Sequence, residues 1–74
     1  MKTNTPWTAE QMGSIGVTTA ARGLAEKSGI DLAEVLEAHR IKGRHDSWFT
    51  SSDHKFLVQT APFDHTVIML PDER

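Results

Sequence analysis

The fold of this chain is decided by residues 17–40, which read VTTAARGLAEKSGIDLAEVLEAHR. Thr18 is a residue type that caps helix N-termini, and Gly29 stands where a left-handed residue would close the helix that follows. Asp31 caps the next helix, and Glu34, three residues later, completes a capping box. Because these local signals agree with one another, the segment predicts two helices joined by a tight corner.

The second of these helices has a predicted buried face and a predicted exposed face. Residues of the buried face recur at helical spacing and are Leu32, Val35, Leu36 and His39. Residues of the outer face lie three apart and are Asp31, Glu34 and Glu37. The helix is therefore expected to pack one stripe on the core and to present carboxylates elsewhere.

A short helix is predicted upstream of this corner. Thr8 and Gln11 form a capping box, and Trp7 precedes the cap, where it can staple onto Met12. The glycines at positions 13 and 16 are expected to end this helix early. Trp7 is assigned to the core rather than to an exposed anchor.

After residue 46 the apolar pattern changes to the alternation of strands. Three strands are predicted, over residues 47–51, 55–60 and 65–70, with turn residues between them. The simplest arrangement is a three-stranded antiparallel meander whose two faces are both partly apolar. The chain is thus predicted to be one small α+β domain, with a helical part of two to three helices at about 8–40 and a β part at about 47–70.

Composition excludes several classes of function. The 74 residues include no cysteine, carry a net charge of -2 and contain no apolar run long enough to span a membrane. We therefore expect a cytoplasmic protein without disulfides, thiolate zinc sites or membrane contact. The four histidines lack the short spacing of metal motifs, and there is no nucleophile elbow or phosphate loop, so no metal, cofactor, small-molecule substrate or catalysis is expected.

Residues 17–35 resemble the opening of the peripheral subunit-binding domain of 2-oxoacid dehydrogenase acyltransferases. In that family a small residue, Ala-Ala-Arg, Leu-Ala, Gly-Ile-Asp-Leu and Val recur in the same order. The resemblance covers about a quarter of the chain and implies a helical module that docks on another enzyme's subunit, with a basic residue such as Arg22 at the contact. The family's Gly-rich loop and Gly-Arg-Ile segment do not follow after Leu36.

The same corner equally resembles a helix-turn-helix, through Ala25, Gly29, Ile30 and Val35. Followed by strands, this order resembles a winged-helix domain whose wing is residues 51–54, and it implies a DNA-binding regulator. Base readout would then fall to the start of the third predicted helix, the one that Asp31 caps. This helix carries carboxylates that repel phosphate.

A second candidate surface follows the third helix, where basic residues precede Trp48 and Phe49. Arginine and tryptophan dominate interface energetics, and a basic loop beside aromatics can also hold a single nucleic-acid strand. In the alternative interpretation, Trp48 and Phe49 pack in the core while the charges are solvated. The candidate partner-binding residues are Arg22, Glu34, Glu37, Arg40, Lys42, Arg44, His45 and Trp48.

The sequence as a whole favours a small non-catalytic regulatory protein that acts by protein–protein binding. Small size and the absence of cysteine are typical of the modifiers that phages and mobile elements direct at large host complexes such as RNA polymerase. The alternative is a winged-helix DNA-binding transcription regulator, which makes nucleic acid the secondary partner.

Overall fold

The computed structural model describes residues 5–51 and 53–73. In chain order the elements are α1 (Ala9–Met12), β1 (Ser14–Val17), α2 (Thr19–Ser28), α3 (Leu32–Lys42), β2 (Asp46–Ser51), β3 (His54–Ala61), β4 (His65–Met69) and a final 3-10 turn (Pro71–Glu73). The prediction of an α+β fold is confirmed.

The sheet has four strands in the order β1-β4-β3-β2. Strands β2, β3 and β4 form the predicted antiparallel meander, but β1 adds a fourth strand that runs parallel to β4, with Ser14 opposite His65 and Val17 opposite Ile68. The prediction of a three-stranded sheet was therefore wrong. The glycines at positions 13 and 16 predict the end of a helix, yet Gly16 lies inside β1, where long-range pairing with β4 outweighs its low strand propensity.

The helix caps follow the sequence signals in most details. The Thr8–Gln11 capping box is present, and the Thr18 hydroxyl accepts a hydrogen bond from the Ala21 amide at 3.2 Å. At α3 the Asp31 carboxylate accepts from the Ala33 amide at 2.9 Å. The capping box expected there does not form, because this carboxylate bonds the second rather than the third amide of the helix and the Glu34 side chain stays exposed.

Helices α2 and α3 pack on one face of the sheet. The central buried cluster is Ala21, Ala25, Val35, Phe56, Val58 and Ile68. Small alanines on α2 let its backbone approach the sheet and α3 closely, so the corner fits over the strands. The predicted stripe of α3 is confirmed: Val35 and His39 are buried, while Leu32 and Leu36 are half-buried against this cluster.

A chain of buried hydrogen bonds ties α3 to three strands and to α1. The His39 Nδ1 atom lies 2.6 Å from the Ser47 hydroxyl, and Nε2 lies 2.7 Å from the Thr60 hydroxyl. Thr60 contacts the Thr66 hydroxyl at 2.9 Å, and Thr66 donates to the Met12 carbonyl at 2.7 Å. All four side chains are buried.

The proton positions in this hydrogen-bond chain can be assigned by starting from the Met12 carbonyl. A carbonyl only accepts, so Thr66 donates to Met12, and Thr60 must then donate to Thr66. Thr60 in turn accepts from His39 Nε2–H, which leaves Nδ1 to accept from Ser47. Every group is satisfied when His39 is neutral, and burial lowers its pKa below the ordinary value of 6.5, helped by the charge of Lys42.

Gly13 is required at the junction of α1 and β1. Its φ of 68° and ψ of -145° belong to a region that only glycine adopts readily, and a Cβ there would overlap the carbonyl group of Asp64. Replacement of Gly13 by alanine should lower the free energy of unfolding by more than about 2 kcal/mol, measured by urea denaturation.

The matched control for this change is Gly23→Ala within α2. A Cβ at Gly23 meets nothing within 4 Å, so alanine should raise the stability of the helix by about 0.5–1 kcal/mol. Equal effects of the two substitutions would contradict the constraint assigned to Gly13.

Stability should fall as the pH falls through the titration range of histidine. Because the folded pKa of His39 is lowered, the unfolded chain binds a proton that the folded chain does not, starting at about pH 6.5. The stabilisation is present above that pH and is lost below it, at up to about 1.4 kcal/mol per pH unit. Urea denaturation between about pH 8 and pH 5 measures this slope, and the window lies above the range in which carboxyl groups titrate.

The control is His39→Gln, which keeps a hydrogen-bonding side chain but does not titrate. The other three histidines are common to both proteins, so their contribution cancels in the comparison. The variant should be less stable at pH 8 and should show a flatter pH dependence. An unchanged slope would mean that His39 is not the titrating group.

Candidate functional site

The turn between α3 and β2 is fixed to the rest of the molecule by Trp7. Its amide donates to the Arg40 carbonyl at 2.8 Å, and its indole Nε1 donates to the Arg44 carbonyl at 2.9 Å. The indole also meets the His45 ring edge-on, with centroids 5.6 Å apart. Trp7 is buried, as predicted, and it anchors the backbone of the turn while the Arg44 and His45 side chains stay exposed.

A basic–aromatic cleft lies beside this turn, with a cavity volume of about 340 Å³. Its lining residues are Lys42, Arg44, Asp46, Ser47 and Trp48. Gly43 ends α3 in the left-handed conformation, which returns the chain into β2 and brings the helix end next to Trp48. Lys42 Nζ donates to the Trp48 carbonyl at 3.1 Å, so the ammonium group is held at the rim.

Trp48 projects from the outer face of the sheet, opposite to α2 and α3. It lies across from Leu57 on β3, and Leu57 lies across from Met69 on β4, so the three side chains form one row. Leu57 is fully buried, whereas Trp48 is 44% exposed. The neighbouring Phe49 points the other way and packs on the core. The interpretation that places both aromatics in the core is therefore correct for Phe49 and wrong for Trp48, because successive strand residues alternate between faces.

The cleft continues along the outer face into a second hollow, which shares Asp46 with it. This hollow has a volume of about 280 Å³ and is lined by Asp46, Gln59, Thr60, Ala61, His65, Val67 and Met69. Together the two hollows make a surface with two cations, an exposed indole and a mixed polar and apolar floor, with Asp46 where they meet.

Four of the eight predicted partner-binding residues lie at or beside the α3–β2 turn, namely Lys42, Arg44, His45 and Trp48. Arg40 and Glu37 instead pair with each other at 2.6 Å, and hydrogen bonding from Arg40 lowers the pKa of Glu37. Arg22 and Glu34 are exposed on α2 and α3 and line neither hollow.

A third feature, which the sequence does not predict, is an apolar groove between α1, β1 and α3. Its volume is about 410 Å³, and its lining residues are Ala9, Met12, Gly13, Ile15, Ala33, Leu36, Glu37 and Arg40. The groove depends on β1, which the sequence did not reveal. The alternation of Ile15 and Val17 with Ser14 and Gly16 is the sequence signal that could have predicted this strand.

The buried hydrogen-bond chain contains a serine next to a histidine, but it belongs to the core. Ser47 and His39 are 6% and 1% exposed, so a substrate carbonyl cannot reach the hydroxyl in this arrangement. Among residues 5–51 and 53–73 there is no group of three or more side chains suited to hold a metal ion. Within the same residues, no helix has the length and apolar character needed to cross a membrane.

Comparison of the chain with models of known protein families, with curated protein sequences and with solved structures gave no match. The functional conclusion therefore rests on the geometry of these surfaces.

Proposed function

We propose that this chain is a small, non-catalytic, cytoplasmic regulatory protein that acts by binding another protein through the basic–aromatic cleft. The observation that carries the proposal is the exposed indole of Trp48 in a cleft that Lys42 and Arg44 also line. Tryptophan and arginine are the residues that most often dominate binding energy at interfaces.

Rigidity supports this assignment. Trp48 is held in a central part of β2 by its pairing with Leu57, and the backbone of Arg44 is held by the indole of Trp7. A partner that covers this surface therefore has little ordering entropy to overcome on this side of the interface. The two cations of the cleft favour an acidic segment of the partner.

The small size of the domain supports one class of partner by analogy. A domain of this size that works through one surface is suited to block or redirect a larger assembly, in the way phage-encoded and mobile-element proteins modify host machines. We propose the bacterial transcription machinery, and RNA polymerase in particular, as the first candidate.

The alternative is a winged-helix regulator, and one observation favours it: helix, strand, two helices and a hairpin occur in the order of that domain. Charge opposes it. Along α3 the exposed side chains include Glu34 in the first turn and Glu37 in the middle, and Arg40 in the last turn is ion-paired with Glu37. A helix that presents carboxylates is repelled by phosphate.

The cleft can be tested by affinity capture with matched variants. Trp48→Ala and Arg44→Glu should each reduce a specific captured protein by about tenfold or more, because truncating an interface hot spot costs at least that factor. Lys27→Glu, a charge reversal on α2, is the control and should leave capture unchanged. Nuclease-treated bacterial lysate is passed over each immobilised protein, quantitative mass spectrometry measures what is retained, and circular dichroism verifies folding.

Equal capture by the wild-type protein and all three variants would refute the cleft as the binding surface. Loss of every specific partner on nuclease treatment would favour nucleic acid instead.

The winged-helix alternative predicts a different response to charge. If α3 enters a DNA groove, Glu34→Lys combined with Glu37→Lys should strengthen duplex binding, and replacing Lys42 and Arg44 by alanine should weaken it and reduce its salt dependence. Fluorescence anisotropy with a labelled duplex at several salt concentrations measures both effects. We expect neither change in duplex binding, because the proposed site recognises protein.

A further inference from the structure

Strand β1 is an edge strand whose backbone hydrogen-bonding groups are divided between its two sides. The Ser14 amide donates to the Asp64 carbonyl at 3.2 Å, and the Thr18 amide donates to the Ile68 carbonyl at 3.0 Å. Residues of a strand alternate between neighbours, so the even-numbered positions bond β4. The N–H and C=O groups of Ile15 and Val17 therefore point away from β4, to the side where no strand of residues 5–51 and 53–73 pairs.

Apart from its short length, this edge has neither of the sequence features that commonly prevent strand addition, namely charged residues and proline. Its sequence is Ser-Ile-Gly-Val. The Ile15 side chain is 47% exposed and shares a side of the sheet with the buried Thr66, its register partner. On that side it forms a wall of the apolar groove that α1 and α3 complete.

We propose that β1 pairs with β1 of a second copy of this chain, antiparallel about Gly16, to form a dimer with one continuous eight-stranded sheet. The two outward-facing residues, Ile15 and Val17, lie symmetrically on either side of Gly16. In the antiparallel pair, Ile15 of each copy stands opposite Val17 of the other, and the two pairs make four main-chain hydrogen bonds. Gly16 faces itself across the two-fold axis at the position where the strands approach most closely, and it has no side chain to clash.

The groove indicates why the occupant is a second copy rather than a charged peptide. Its rim carries one anion and one cation, Glu37 and Arg40, which are ion-paired with each other. An interface with two-fold symmetry must be complementary to itself, and a surface with both charges and an uncharged centre meets that requirement. Pairing also brings Val17 of the second copy beside Ile15 on the side where the groove lies, and so extends the apolar contact.

This dimer is independent of the proposed regulatory function but compatible with it. Because β2 is the opposite edge of the sheet, the two basic–aromatic clefts would lie at the two far ends of the eight strands. A partner with two acidic segments would then bind with avidity. The short edge places the interface at the small end of the range for specific contacts, so we expect a dissociation constant of about ten micromolar.

Sedimentation velocity from about 1 µM to about 500 µM tests the proposal on the full chain. The wild-type protein should shift from its monomer mass of 8.2 kDa towards twice that value. Ile15→Lys places a charge at the edge and should abolish the shift. Ile41→Lys is the matched control, since Ile41 is 54% exposed on α3 and lines no part of the groove, and it should dimerise normally.

Amide hydrogen exchange by nuclear magnetic resonance identifies the strand used. The amides of Ile15 and Val17 should gain protection as the protein concentration rises through the dissociation constant, whereas Ser14 and Gly16 should be protected at all concentrations. A wild-type chain that stays monomeric at the highest concentration would overturn the proposal. A dimer that survives Ile15→Lys, or one that leaves Ile15 and Val17 unprotected, would overturn it as well.

Discussion

The structure depends on the buried hydrogen bonds of His39. The His39 side chain on α3 contacts Ser47 on β2 and Thr60 on β3. The series of hydrogen bonds continues through Thr66 on β4 to the Met12 carbonyl on α1. Five elements are thus joined by directional contacts within an otherwise apolar core. Apolar packing alone tolerates small shifts in register, whereas a buried donor without its acceptor costs about 1–3 kcal/mol. The network therefore specifies one arrangement of α3 on the sheet.

This arrangement has consequences at the surface. Because His39 lies in the last turns of α3 and Ser47 near the start of β2, their hydrogen bond holds the turn between them, with Lys42 and Arg44 on it. Trp7 secures the same turn from the other side. A cluster of charged side chains that would be mobile on an isolated loop is thereby placed beside Trp48. Preorganisation of this kind lowers the entropy lost on binding.

The two edges of the sheet differ in chemistry. The β2 edge adjoins the basic–aromatic cleft, which presents two cations and an exposed indole. The β1 edge is short, uncharged and next to an apolar groove, which suits an identical strand. The two proposed contacts lie at opposite edges of the sheet, so neither would block the other.

The sequence by itself determined the local structure. The caps at Thr8, Thr18 and Asp31, the left-handed Gly29 and the alternation of the last three strands all act over a few residues, so they could be read directly. Nearness along the chain also brought Lys42, Arg44, His45 and Trp48 into one predicted surface.

Only the tertiary structure decided which distant segments meet. Strand β1 is stabilised by β4, about fifty residues away, and its four residues include Gly16, which is depleted in strands, so the stretch is too short and too mixed to indicate a strand by itself. The exposure of Trp48 and burial of Phe49 follow from the pairing register of β2, and the groove at Ile15 follows from β1. These features arise from non-local contacts, whose energy belongs to the folded arrangement and to no single stretch of sequence.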